Sequence, residues 1–515
     1  MTYDYRIDWN NDGDYSDTGE NVTARVLGRE AVTVSYGRDQ ERSQSPVGPG
    51  QASFLLNNIS RDYSPENGSS PLAGNVLPSR PVRIQKTHNA VTYTLFNGFT
   101  DDFNVLPYRK DRSVQISCLD VLSRFRETQI TTDLYQGIRT GEAIGYILDE
   151  LDWPTAARDI DPGVTLIPWW WEQNTDAGQA LEKLLNSEGL PALATVDSSG
   201  NFVFRDRHHR LTEAASLTSQ ATFRNTGAEP KFSTPLVYDH GWRDIVNSVT
   251  LSVTERAPAG TLENVFESTA TFSIATGETK VLSVETTDPF IGAVTPVEGT
   301  DYTVLSGAVE VTLSRGFGLS AASATIFIKA TSTAVVSGMR MRAYPVRETA
   351  TVQVHVEEPV SISRYGRRSY TQDAPWVNVY DAQAIAEILL AYRAERLPIV
   401  SLRMVSGLHG DSTRMTQMLS RDLSDRVTVV ESESGLNDDF FIERIEHTIS
   451  DAGAVHETVF GCEKAPTDIS NVFRFDTAGH GFNDGLFGIV GMDDPAIMFR
   501  FDTASHGFDD GVFAH

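Results

Sequence analysis

Cysteine is nearly missing from this chain. Only Cys118 and Cys462 occur among 515 residues, far apart and outside any CxxC spacing, which excludes a disulfide scaffold and a cysteine-built zinc site. Cations are scarce too: 43 Lys and Arg face 69 Asp and Glu, a formal net charge of −26. That balance speaks against a grip on nucleic acid or on an anionic membrane, because both need clustered Lys and Arg. No run of about 18 apolar residues is present, so no segment is expected to span a bilayer. The opening Met1-Thr2-Tyr3-Asp4-Tyr5-Arg6 has neither the basic nor the apolar stretch of a signal peptide. Catalytic signatures are missing as well: there is no GxSxG, HExxH, GxxxxGK[ST] or strand-borne GxGxxG. Carboxylate pairs for glycoside hydrolysis cannot be singled out among 69 acids without geometry. The chain is therefore read as non-enzymatic, with no catalytic and no cofactor-binding residues assigned. Apolar residues make up 40% of it, enough at this length for several cores in roughly three to four domains.

Most of the sequence reads as strand. Gln51–Asn57 places Ala52, Phe54 and Leu56 on one face, the period-two pattern of a half-buried strand. Residues 82–85, 92–96 and 113–117 follow suit, punctuated by segments rich in Gly, Pro, Asn and Ser. Residues 1–130 are thus expected to form a small β domain closed by a short helix over 120–126. The texture changes next. Ile144, Ile147, Leu148 and Leu151 mark an amphipathic helix stopped by Pro154, and Ala180, Leu181, Leu184 and Leu185 mark a second one ending at Gly189. A hairpin through Asp197-Ser-Ser-Gly200 completes an α+β helix–hairpin unit over 131–215. Strands dense in Val and Thr fill a further β-rich domain, 216–354, with 249–253, 309–313 and 324–328 the clearest. Residues 355–465 are expected to hold a second small β domain, with a helix over 382–396 and strands at 399–405, 426–430 and 456–460. The fold class is mainly β and multidomain, with an α+β insert.

The sharpest local motif is Asp8-Trp-Asn-Asn-Asp-Gly-Asp-Tyr-Ser-Asp17. Asp8, Asn10 and Asp12 alternate ahead of Gly13, the opening of a calcium-binding loop, with Asp14, Asp17 or Glu20 to close it. The Glu due at the twelfth position is Gly19 and no helix follows. Two readings stand side by side: a structural Ca2+ loop, or an Asp/Asn-rich turn without metal. Trp169, Trp170 and Trp171 form a second conspicuous feature. They are candidates for an interface or a sugar platform. Alternate side chains of a strand point to opposite faces, so one or more of the three should meet a neighbouring domain or chain. His208 and His209, beside Arg205 and Arg207, read as a solvated strand end rather than a metal or phosphate site.

Residues 466–515 carry a repeat. Phe473, Phe475, Phe482 and Phe487 recur as Phe499, Phe501, Phe508 and Phe513, an offset of 26 residues within FRFDTA-x-HGF-x-DG. Two copies are too few to stack into a solenoid, and each has too little apolar surface for a core. They read as docking peptides that order on a partner.

Several segments, in order, resemble the tail-hub (baseplate hub, tail-associated or minor tail) proteins of long-tailed bacteriophages, those of actinobacteria in particular. They are Asp8–Asp14, Gly50–Asn57, Ser60–Pro65, Leu77–Ile84, Asp197–Arg207, Trp242–Val249 and Ser361–Arg368. The resemblance spans roughly residues 1–465. It implies two related small β-barrel hub domains per chain, and a homotrimer whose six barrels continue the tail tube. It further implies a place at the tip of the tail in the virion, assembled in the host cytoplasm, and a part in gating genome ejection. The partners implied are distal-tail and tube proteins, the tape measure protein, and peripheral receptor-binding or tail-tip proteins held by the C-terminal repeats. Genome DNA would pass through the lumen without specific binding, a passage that an acidic wall favours. Two other readings remain open here: a carbohydrate-binding or cell-wall-degrading tail protein using the Trp169–Trp171 platform, and the distal-tail ring protein.

Overall fold

The computed structural model describes residues 2–107, 112–315, 320–407 and 410–465. The phenylalanine repeats between Phe473 and Phe513 lie outside the described residues. The chain is mainly β and multidomain, as its alternating patterns imply.

The largest element is a twelve-stranded sheet. Its strands are β1 (Thr2–Ile7), β2 (Val32–Gly37), β3 (Gln51–Asn57), β4 (Pro81–His88), β5 (Val91–Pro107), β6 (Arg112–Leu119), β7 (Thr222–Arg224), β8 (Val237–Asp239), β9 (Ile399–Ser406), β10 (Arg426–Glu431), β11 (Leu436–Ser450) and β12 (Val455–Lys464). The path runs β1-β4-β5-β6-β3-β2-β11-β12-β9-β8, with β10 joined to β7 and β11. Among the described residues the path does not return on itself, and β1 and β8 are its ends. Alternation explains the sides: Ala52, Phe54 and Leu56 of β3 and Val114, Ile116 and Cys118 of β6 all enter one core. A second core lies under β9–β12, around Leu402, Met404, Val427, Phe440 and Phe460.

The first and last β regions of the described residues meet at β2 and β11. Their antiparallel register runs from Val32↔Ile449 to Gly37↔Arg444. Gly37 has φ +107°, and a Cβ there would stand 2.5 Å from the Glu443 carbonyl. Only glycine fits this approach.

Between the two halves sits the helix–hairpin unit. Helix α1 (Thr140–Glu150) opens with the Glu142 carboxylate accepting the Arg139 N–H at 2.7 Å and buries Ala143, Ile144, Ile147 and Leu148. Helix α2 (Ala177–Glu188) is capped by Asp176, which accepts the Gln179 N–H at 3.0 Å, and ends at Gly189 with φ +84°. The strands 193–196 and 202–205 form the expected hairpin, and 158–160 joins it in parallel.

A seven-stranded sheet is built around one 35-residue strand, Ser323–Glu357, which pairs with five others. Its buried residues change phase midway. Ala334 and Val336 face the core on even numbers, Met339, Met341 and Ala343 on odd ones. Gly338, at φ +70°, stands at this phase change, opposite a bulge in the partner strand between Ser268 and Thr271, and both halves keep their apolar side chains inward. Three more helices are α3 (Pro359–Tyr365), α4 (Val379–Arg393) and α5 (Ser412–Ser420). Helix α4 packs Ile385, Ala386 and Leu389 against Val249, Leu251 and Val253 of this sheet. Helix α5 sends Met415 and Leu419 into the first core and Met418 into the second. No helix among the described residues is long and apolar enough to cross a membrane.

Candidate interaction surface

The Asp/Asn loop after β1 is held together by its own backbone. Asp8 is fully buried; its Oδ1 accepts the Asn11 N–H at 2.5 Å and its Oδ2 the Gly13 N–H at 3.0 Å. Asn10 Nδ2 donates to Asp12 at 2.9 Å and to Asp17 at 2.7 Å, placing an amide donor between two carboxylates. Asp14 accepts the Ser16 N–H at 2.7 Å, a bond that lowers its pKa. Glu20 accepts the Asp17 N–H at 2.9 Å, and burial raises its own carboxyl. These are the bonds of successive Asx turns. Among the described residues no group of three or more His, Cys, Asp or Glu gathers to hold a metal ion.

The three tryptophans are spent on packing. Trp170 is fully buried beside Tyr135 and Tyr146. Trp171 meets Trp376 edge-on at 5.6 Å, and the Arg256 guanidinium lies 4.2 Å over the Trp376 ring. Trp169, 8% exposed, lines a cavity of about 220 Å³ with Arg256 and Trp376. The strand alternation thus sends these rings to different walls, where 376 and 256 belong to segments far along the chain. His209 Nδ1 sits 2.9 Å from Asp161, and His208 is held below its ordinary value by burial and by Arg207.

A surface built largely from two of the segments singled out in the sequence, 242–249 and 361–368, lies at the β8 end of the large sheet. Among the described residues strand β8 pairs with β9 alone, Val237↔Ser401 to Asp239↔Ile399. Directly after it the chain turns at Gly241, φ +70°, where a Cβ would stand 2.1 Å from the Leu397 carbonyl. That tight approach sets His240 and Trp242 on either side of the turn. Ring centroids then follow one another: Tyr238 to His240 at 4.9 Å, His240 to Trp242 at 6.3 Å, Trp242 to Tyr365 at 6.0 Å.

Arginines are threaded through this row. The Arg396 guanidinium stacks 4.9 Å over Trp242, with Nη1 3.0 Å from His240 Nδ1. Arg368 donates to the Trp242 carbonyl at 2.5 Å. Arg364 lies 5.6 Å from the Tyr365 ring, and both Arg364 and Tyr365 bond Glu395. Beneath them Asn247, fully buried, donates to Ser361 at 3.1 Å and to the Gly366 carbonyl at 2.9 Å, and accepts the Arg368 N–H at 2.7 Å. Two sequence motifs, 242–249 and 361–368, are brought together by that one side chain. The local signal was the asparagine itself, which no periodicity explains.

No family model and no curated protein matches the chain. Solved structures similar to it include tail proteins, a component of the type VI secretion system and a Francisella PdpA-VgrG complex. One, the tail protein from Neisseria meningitidis MC58, shares 10% identity at TM-score 0.48, over 90% of this chain and 97% of that one. The 43 kDa tail protein of prophage MuSo2 from Shewanella oneidensis shares 10% at 0.46, over 90% and 98%. The prophage tail protein gp18 from Listeria monocytogenes EGD-e shares 8% at 0.40, over 91% and 96%.

Proposed function

We propose that the chain is a structural, non-enzymatic component of a phage tail tip. Three copies encircle a common axis, join the tail tube to host-recognition proteins and gate the exit of the genome. Its neighbours are then distal-tail, tube and tape measure proteins on one side and peripheral tip proteins on the other, the latter held by the Phe473–Phe487 and Phe499–Phe513 repeats. Genome DNA passes through the lumen unbound. The observation that carries this reading is the union of residues 2–119 and 399–464 in one sheet. Six strands from residues 2–119 and four from 399–464 are joined through β2 and β11, as suits two β units per chain set side by side. The order of the hub-like motifs along residues 1–465 supports it as well. Sheet ends left open in one chain are covered when copies assemble.

The test is the symmetry of the purified protein. Light scattering should give a trimer, and averaged particle images should show threefold order around a central hole. Sixfold order would assign the chain to the distal-tail ring instead. A monomer that cleaves purified cell wall, and loses that activity on a single acidic substitution, would sink the structural reading.

A further inference from the structure

We propose that the groove between strand β8 and the β10–β11 hairpin seats the first phenylalanine repeat of the same chain, through Phe473-Arg474-Phe475. The inference goes beyond the tail-tip reading, because a repeat held at home has to be lifted out before it can hold a neighbour.

The groove has a volume of about 1120 Å³ and lies between residues 234–240 and the hairpin turn at 431–438. Leu236 and Tyr238 stand two apart on an extended stretch, so both turn the same way. With Leu436 they pack half-buried against the second core, which makes the apolar wall firm. The hairpin side is acidic. Glu431, Glu433 and Asp438 line it, and among the described residues no Lys or Arg lines the groove. The cations at its rim are engaged, Arg396 with His240 at 3.0 Å and Lys464 with Asp438 at 2.9 Å. Hydrogen bonds from Ser434 and Glu433 hold the Glu431 carboxyl below its ordinary range. Among the described residues the Glu433 carboxylate has no hydrogen-bond or ion-pair partner.

Place is the first argument for the occupant. The described chain closes with Lys464 on Asp438 and the Ala465 N–H on the Asp439 carbonyl at 2.8 Å, so it leaves the body beside the acidic side of the groove. Phe473 follows eight residues later, within a reach of roughly 26 Å. Phe499 follows only after 34. Local concentration falls with about the −3/2 power of tether length, so the second repeat is presented at roughly a ninth of the first.

Pattern is the second argument. Alternate side chains of an extended segment point to opposite sides, so Phe473 and Phe475 face one wall and Arg474 the other. The groove has the same division, apolar on one side and anionic on the other. Strand β8 also has an outer edge with no partner among the described residues, which an extended segment can pair. Charge is the third argument. Arg474 is the one Lys or Arg of the first repeat, and its guanidinium matches the free carboxylate of Glu433.

The experiment uses the full chain and reads hydrogen exchange at residues 236–240 and 433–437. Wild type should exchange there slower by about fivefold or more than Phe473→Ser with Phe475→Ser. Arg474→Glu and Glu433→Arg should each lose the protection, and the two together should recover it. Phe499→Ser with Phe501→Ser should keep it. Each substituted residue is exposed or lies outside the described residues, and the melting temperature checks that each variant is folded. Equal exchange in wild type and in the variants at 473–475 overturns the inference. Protection that vanishes on dilution from ~100 to ~1 μM makes the occupant a second copy's segment and overturns the seat at home. Protection that depends on Phe499 and Phe501 instead selects the other repeat and overturns it too. A monomer with a protected groove leaves the seat intact while the ring falls; a trimer whose groove exchanges alike in every variant does the reverse.

Discussion

The phenol oxygen of Tyr3 lies 2.9 Å from Nδ1 of His456, across a separation of 453 residues. Lys86 Nζ donates to the same oxygen at 2.7 Å, and His456 Nε2 lies 3.1 Å from His447 Nδ1. The protons in this row have a consistent order. Lys86 donates to Tyr3, Tyr3 to His456, and His456 through Nε2 to His447, whose Nδ1 also lies 3.0 Å from the Thr458 hydroxyl. Each acceptor nitrogen must be unprotonated for that order to hold. The row links β1 and β4 to β11 and β12, so the first and last β regions of the described residues are fastened together by neutral histidines.

Acid should loosen that fastening. Burial pushes His447 down to about 4, and it pushes His456 well below its ordinary value, with His447 and Lys86 adding repulsion. A histidine depressed in the folded state protonates first in the unfolded chain, so its contribution is complete above about 6.5 and is lost as pH falls towards 4. Buried Asp120 and Asp422, raised to about 7 and about 6, act with the opposite sign in this window. The comparison is therefore between wild type and His447→Gln. Wild type should lose stability relative to the variant between pH 6.5 and 4, read as urea midpoints; parallel curves would refute the assignment.

Glu443 should be the most sensitive single charge. Its carboxylate is buried between Arg38, at 2.9 Å, and Arg210, at 2.7 Å. Arg38 also donates to the carbonyls of Ser45, Pro191 and Ala192. One side chain thus ties the first β region, the helix–hairpin unit and β11 together. Glu443→Ala leaves two buried guanidiniums uncompensated and should destabilise by roughly 3–5 kcal/mol. Glu443→Gln should lie between the two. A wild-type urea midpoint in Glu443→Ala would contradict this.

Periodicity exposed what was local. The β3 and β6 alternations and the apolar stripes of α1, α2 and α4 are read directly from spacing, because each face meets one core. Pairing across distance was not legible. Nothing in Val32–Gly37 announces residues 444–449 as its partner. The 35-residue strand showed only its Ala324–Ile328 stretch, since the phase break at Gly338 interrupts the pattern. Strand β8, three residues long, is too short for any period, and its aromatic surface depends on Asn247 reaching residues more than a hundred positions away. The tryptophan run was legible in part: alternation demands different walls, but only the fold names Trp376 as the neighbour of Trp171.

The loop from Asp8 to Glu20 separates its two readings by calcium dependence. Asp8 already spends both oxygens on backbone donors, and the Asn10 amide stands between Asp12 and Asp17. A self-sufficient turn predicts the same melting temperature in millimolar calcium and in chelator. It also predicts that Asp8→Ala destabilises equally in both, by about 0.5–1.5 kcal/mol per hydrogen bond lost. A melting temperature that rises with calcium, and does so only with Asp8 intact, would make the loop a cation site.

Removing residues 472–515 should leave the folded body untouched. The described chain closes with Lys464 Nζ 2.9 Å from Asp438 and the Ala465 N–H on the Asp439 carbonyl at 2.8 Å. Among the described residues, every member of the five cores precedes that point. The truncated chain should therefore melt as wild type does and assemble to the same mass. What it should lose is a peripheral tail-tip protein. In the proposed trimer two repeats per chain would make six, so docking would gain from multivalency, and cutting only 498–515 should weaken capture far more than twofold. Particles assembled with each truncation, compared by protein composition, give the answer. Unchanged composition without either repeat would remove their docking role.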